Sequence, residues 1–397
     1  MALHAYKPEW AFSTALRNRA ARWQRQLLLT PEQLTAIEAA YPLDYYRPVW
    51  ALRVGLFLFA LLGLSMAGGA SFMITDNSPL AAAVLHCVAC FAVLELLIKQ
   101  SRFYHAGADN ALLYTGLATA VGLIGYVSYE YLWPIHLGVH FSPAYAIMPL
   151  LLVLGVLLAA IVRYADALVT AAATGTTLLL AALIIVLVPF GIVFLPFLMM
   201  AAAGGLLALR RRLARRLAGT YLADYYANFL LMLKVVGLVV LYLAGNYLVV
   251  REGNAELEHD LVSTQIPFAP VFYAFTAGIP LLYIWLGLRR ADRTLLLLGL
   301  LTLAFSFFTL RHYRSLLPPE IAAVAAGVLL TVLAGALLRA LRPARFGLTS
   351  LPDDEPRHFN LENLIQAQTA HAPDAPATGG FEFGGGHSGG GGATGQF

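Results

Sequence analysis

A chain of 397 residues that is 59% hydrophobic and only 12% charged, with a mean hydropathy of +0.71, lies far outside soluble globular composition, where about a quarter of residues are charged. A net charge of +4 would suit a nucleic-acid partner, but Lys and Arg fall in short junctions between apolar blocks, the distribution of a membrane protein and not of a basic soluble face. Cys87 and Cys90 are the only cysteines, so a disulfide framework is excluded as well.

Residues 1–48 contain Lys7, Arg17, Arg19, Arg22, Arg25 and Arg47 but no apolar signal-peptide region, so the first span is expected to act as its own insertion signal. From Ala11 to Leu29, basic residues alternate with Phe12, Leu16, Ala20, Trp23, Leu27 and Leu28, consistent with a helix lying on the membrane surface. Thr30-Pro31-Glu32-Gln33 then predicts a capped helix start, with Thr as N-cap, Pro in the first position and Gln closing the capping box. That helix is expected to stop at Tyr41-Pro42. The segment is too short for a core of its own.

The spans are anchored by Ala167 to Leu209, where no charged residue occurs. At ~1.5 Å per residue the stretch is roughly twice the ~30 Å hydrocarbon thickness, so it crosses, turns at Val188-Pro189-Phe190-Gly191 and crosses back. The cations Arg210, Arg211, Arg212, Arg215 and Arg216 follow at once and are the topology anchors, expected on the cytosolic side. The sequence therefore predicts an all-α integral membrane protein of about ten transmembrane helices, at 49–73, 79–99, 111–132, 144–163, 167–187, 190–209, 229–250, 269–288, 294–311 and 319–341. Residues 210–228 are expected to form a basic interfacial linker, and 251–268 an outer loop. With the N-terminus cytosolic, the inner junctions carry Lys99, Arg102, Arg163, the Arg210–Arg216 cluster, Arg289, Arg290 and Arg293. The outer ones carry Asp76, Glu130 and the acidic run Glu252 to Asp260; Arg311 and Arg314 are a local contradiction. Tyr126, Tyr129, Tyr131 and Trp133 at one interface and Tyr221, Tyr225 and Tyr226 at the other fit aromatic belts. Residues 342–397 are a polar, then glycine-rich, cytosolic tail.

Few motifs suggest chemistry. Cys87 and Cys90 form a C-x-x-C within a span, where an apolar setting favours packing over redox work. Glu95 to Asn110 is the densest polar stretch, and Glu95, Arg102 and Asp109 are the candidate catalytic cluster at the inner face. Glu95 and Lys99 also have the spacing of a local helical ion pair, and Lys234 is placed to snorkel. His136 and His140, four apart near Glu130, are the candidate metal ligands, although Pro134 and Gly138 argue against a helix there. Thr170, Thr174, Thr176 and Thr177 suggest close helix packing. No phosphate loop, Ser-His-Asp arrangement or cofactor motif is present, and no cofactor is expected.

The tail Phe383-Gly384-Gly385-Gly386-His387-Ser388 through Gly392 is similar to glycine-rich tails on several bacterial envelope proteins, and separately Leu29 to Gln33 and the junction Tyr104-His105-Ala106-Gly107-Ala108-Asp109-Asn110 through Tyr114 carry a second resemblance. The chain resembles a loose group of bacterial multi-pass membrane proteins, best represented in Bacteroidota, with a helical cytosolic lead before an array of spans. That group has no assigned activity, so the resemblance implies the architecture and an inner-membrane location but no catalytic residues. The expectation is a membrane component without catalysis (a scaffold, sensor or complex subunit) that meets the lipid bilayer and a membrane or envelope protein through its lead or tail. A solute transporter or channel is the alternative, and an enzyme acting on a lipid-like substrate at the inner face the third.

Overall fold

The computed structural model describes residues 4–132, 142–258, 263–314 and 319–340. The lead folds as α1 (Pro8–Arg25) and α2 (Pro31–Ala40), the second opened by the expected capping box between Thr30 and Gln33. The array follows as α3 (Trp50–Ile74), α4 (Pro79–Gln100), α5 (Ala108–Val127), α6 (Ile147–Tyr164), α7 (Ala167–Val186) and α8 (Gly191–Leu217). After the short α9 (Leu222–Tyr225) come α10 (Ala227–Gly245), α11 (Tyr247–Glu258), α12 (Ala269–Arg289), α13 (Arg293–Arg314) and α14 (Pro319–Ala340). Among the described residues no strand occurs, and nine helices (α3 to α8, α10, α12 and α13) are long and apolar enough to cross a membrane. The tenth expected span corresponds to α14, 22 residues long. The tail lies outside the described residues.

Helix α10 packs against α7, α8, α12 and α13, while α3 packs on α4 and α5 at the periphery. Ser71 is the one buried residue of α3, whose large side chains Leu58, Phe59, Leu62 and Met66 are exposed, as lipid contact requires. Helices α12 and α13 approach backbone to backbone. A β-carbon at Gly299 would stand 2.7 Å from Ile284 Cγ1 and 2.9 Å from its amide nitrogen, so only glycine fits this contact.

Two expected elements differ. The cations Arg210–Arg216 do not form a separate interfacial helix: α8 runs unbroken through them to Leu217. No helix breaker intervenes before Gly219 (φ +79), and cations suit a helix C-terminus, where the macrodipole is negative. The seventh span ends at Gly245 and not near 250, and much of the expected outer loop is α11. The cause is Asn246, extended at φ −82 and ψ 127, whose Oδ1 accepts the amides of Leu248 (3.0 Å) and Val249 (3.3 Å) and so starts a new helix.

Asn246 is wholly buried. Its Nδ2 donates to the Tyr242 hydroxyl (2.9 Å) and Thr309 Oγ1 (3.0 Å), while Ser306 Oγ meets Tyr242 Oη at 2.8 Å and reaches the Thr276 carbonyl at 2.6 Å. Polar groups of α10, α12 and α13, with a backbone carbonyl from α12, thus satisfy one another around the break. Asn246→Ala removes a helix cap and interhelical hydrogen bonds, each worth about 1 kcal/mol, so a loss of about 2–3 kcal/mol is expected. A lowered thermal midpoint in detergent checks it, with Leu248→Ala as the control that spares the network.

Candidate functional site

The polar residues of the lead and of the α4–α5 junction meet where α4, α6 and α8 end and α5, α7 and α10 begin, here termed the basic face. After α4 the chain makes a tight connection with Arg102 (φ 51), His105 (φ 49) and Gly107 (φ 107) in left-handed conformations. A β-carbon on Gly107 would stand 2.1 Å from the Arg53 carbonyl oxygen, so this close approach to α3 requires glycine. The turn places Asp109 in the first turn of α5, fully buried. Its Oδ1 accepts the amides of Ala106 (2.9 Å) and Gly107 (3.0 Å), and Oδ2 accepts the Tyr6 hydroxyl at 2.7 Å. A carboxylate at a helix N-terminus, holding three donors, is fully satisfied.

Asp166 repeats this arrangement as N-cap of α7, accepting Leu168 N (2.8 Å), Val169 N (3.1 Å) and the Tyr114 hydroxyl (2.9 Å). Asp292 repeats it before α13, accepting Thr294 N (3.1 Å) and Leu295 N (3.3 Å) along with the Lys234 ammonium at 2.5–2.6 Å. Lys234 does not snorkel as expected; it is buried, and the α12–α13 turn brings it a counter-ion. Carbonyls ending helices on the same face are met by tyrosines. Tyr225 donates to Arg163 O (2.5 Å), which also accepts Ala5 N (2.9 Å), and Tyr226 donates to Val162 O (3.0 Å). Tyr225 is therefore a buried helix cap and not part of an interfacial belt.

Glu95, Arg102 and Asp109 do not converge. Glu95 Oε1 accepts Arg163 Nε (2.6 Å) and the Tyr164 hydroxyl (2.9 Å), with Lys99 at 3.5 Å from Oε2, the expected pair at helical spacing. Arg102 is an exposed partner of Asp44 at 3.4 Å, and Asp109 is sealed under Tyr6. The cations from Arg210 to Arg216 occupy the final turns of α8. Cys90 Sγ lies 3.7 Å from His86 Nε2 while Cys87 Sγ points to the Gly116 carbonyl at 3.5 Å, so the two thiols turn to different neighbours. His136 and His140 lie outside the described residues. Among those described, no group of three His, Cys, Asp or Glu could hold a metal.

The lead closes over this cluster. Tyr6 and Trp10 are buried with Tyr104 between them, at ring separations of 5.3 and 6.0 Å, and Tyr45 lies 5.4 Å from Trp10. A parallel bridge of Tyr46 with Phe103 ties the strand-like approach to α3 against the α4–α5 junction. Burial, and then the neighbouring Asp109, holds the Tyr6 hydroxyl well above its ordinary pKa, and burial pushes Tyr104 up to about 12. Burial lowers the His105 imidazole against the opposing pull of Asp109 and Asp166. Burial raises Asp292, but its bonds to Lys234 and the α13 amides outweigh this and hold it below its usual value.

No family model, curated protein or solved structure matches the chain.

Asp109→Ala strands two buried amides and the Tyr6 hydroxyl and is expected to destabilise by about 3–4 kcal/mol, whereas Tyr6→Phe removes one charge-assisted bond and costs about 1–2 kcal/mol. Both variants should make residues 1–48 cleavable by added protease at concentrations that spare the parent chain. Because its folded pKa is depressed, the stability contributed by Asp292 is present above the ordinary carboxylate value of about 4 and is lost as pH falls through the folded value. Thermal stability should therefore fall less steeply below about pH 4 in Asp292→Asn than in the parent.

Proposed function

We propose that this chain is a non-enzymatic component of a bacterial cytoplasmic membrane, a scaffold, sensor or complex subunit, with both termini cytosolic. The observation that carries the reading is how the buried and half-buried acids at the basic face are used. Glu95, Asp109, Asp166 and Asp292 are all engaged by helix N-termini, tyrosine hydroxyls or cations of the same chain, so none is held ready for a proton or a substrate. The orientation is supported by Lys99, Arg102, Arg163, Arg210–Arg216, Arg289, Arg290 and Arg293, which all fall at helix ends of one parity. The likeness to Bacteroidota-type multi-pass proteins with a cytosolic lead agrees with this, and the docked lead or the tail would meet the protein partner.

A second reading, a solute transporter, is favoured by one feature. The chain breaks at Asn246 between α10 and α11, and the break is lined by Tyr242, Thr276, Ser306 and Thr309, as unwound helices line binding sites in transporters. An inner-face enzyme has no comparable support, because its three candidate residues lie apart.

Three measurements test the first reading. The chain extracted from its native membrane in mild detergent should run with a stoichiometric protein partner, and Glu95→Gln should leave that association intact. Flux of a solute through vesicles containing only the purified chain would overturn this reading in favour of transport. Arg216→Cys should react with an impermeant thiol reagent only after the membrane is opened, and reaction from outside would reverse the orientation.

A further inference from the structure

Among the described residues, the turn between α1 and α2 presents exposed apolar side chains. Leu27 is 92% exposed, more than any other large apolar residue described, and Leu28 (68%) and Trp23 (42%) flank it. The turn is tightly built. Leu28 N donates to Trp23 O (2.9 Å) and Leu27 N to Gln24 O (3.0 Å), the paired bonds that close a helix C-terminus, with Leu27 left-handed at φ 59. Glycine is the usual residue in that conformation, so a leucine here is locally disfavoured while its side chain stays almost fully exposed.

The placement of α1 says where this turn goes. Near its start Trp10 packs on Tyr104, and further along Phe12 meets Tyr221 at 4.9 Å while Arg19 pairs with Asp224 at 2.6 Å. A helix that touches the ends of the bundle at both of these points lies across its basic face, roughly parallel to the bilayer plane. It continues for six residues beyond Arg19, roughly 9 Å, past α9, the short helix joining the basic ends of α8 and α10. Residues 22–28 contain two arginines, Arg22 and Arg25, and no acid.

We propose that this tip is a membrane-surface anchor: Trp23, Leu27 and Leu28 enter the headgroup layer of the leaflet at the basic face, and Arg25 attracts its anionic phospholipids. Apolar side chains beside cations, held level with the ends of spans already in that bilayer, have the chemistry of interfacial insertion. The sequence suggested that a helix from Ala11 to Leu29 lies on lipid; in the fold, Trp10, Ala11 and Ala20 are buried and only the tip remains for lipid. The proposal is independent of whether the chain is a scaffold or a transporter.

The test uses the full chain in nanodiscs. A fluorophore on Leu27→Cys, in a Cys87→Ala, Cys90→Ala background, should be quenched by headgroup-level nitroxide lipid, whereas the same label on Glu32→Cys should be quenched by aqueous iodide. Quenching at position 27 should be stronger with phosphatidylglycerol than with phosphatidylcholine alone, and Arg25→Gln should reduce that preference up to about fivefold. In the otherwise natural chain, a photoreactive residue at position 27 should give a phospholipid adduct, which guards against misfolding of the cysteine-free variant. Iodide quenching at position 27 in both lipids, or an adduct only to a second copy or another protein, would overturn the proposal.

Discussion

Lipid supplies no hydrogen bonds, so every polar group brought near it has to find its partner within the protein, and the structure depends on how that requirement is met at the helix ends. The solution is repeated. Asp109, Asp166 and Asp292 sit at the N-termini of α5, α7 and α13, where backbone amides and the positive end of the helix dipole hold a carboxylate. Tyr225 and Tyr226 meet carbonyls at the C-terminus of α6. Each acid then takes a second partner from a distant part of the chain: Tyr6, Tyr114 or Lys234. The groups that end the helices therefore also hold them together.

The same requirement gives the lead its role. Residues 4–11 are not an appendage on the bundle. Ala5 N donates to the Arg163 carbonyl at the end of α6, the Tyr6 hydroxyl donates to the Asp109 carboxylate at the start of α5, and Trp10 fills the space between Tyr45 and Tyr104. Around the break at Asn246, far along α10 from the basic face, the same kind of satisfaction is achieved with neutral groups. There hydroxyls and one carboxamide connect α10, α12 and α13.

Much of this architecture was legible from composition and spacing, because a span needs only length and apolarity to declare itself. The turn at Pro189, the capping box at Thr30 and the pairing of Glu95 with Lys99 all depend on neighbours within a few residues, and all were predictable. The partners that matter most were not. Tyr6 and Asp109 are 103 residues apart, and Lys234 and Asp292 are 58 apart, with no periodicity linking them. Asp166 and Asp292 did carry a usable signal, an aspartate immediately before an apolar helix, which is the mark of an N-cap. Asn246 carried it too, but apolar residues on both sides make the span look continuous through it.

The contacts of the lead also bear on how the chain is made. Residues 4–19 are synthesised well before their partners Asp109, Arg163 and Asp224, the last of them 205 residues downstream of Arg19. By then six hydrophobic segments have been handed to the bilayer. Until α9 emerges, the aromatic side chains of the lead have no seat, and neither do the exposed donors at its start. The lead is thus made before the groups that seat it, so biogenesis of this protein includes a waiting period in which residues 4–19 need shelter outside the bundle.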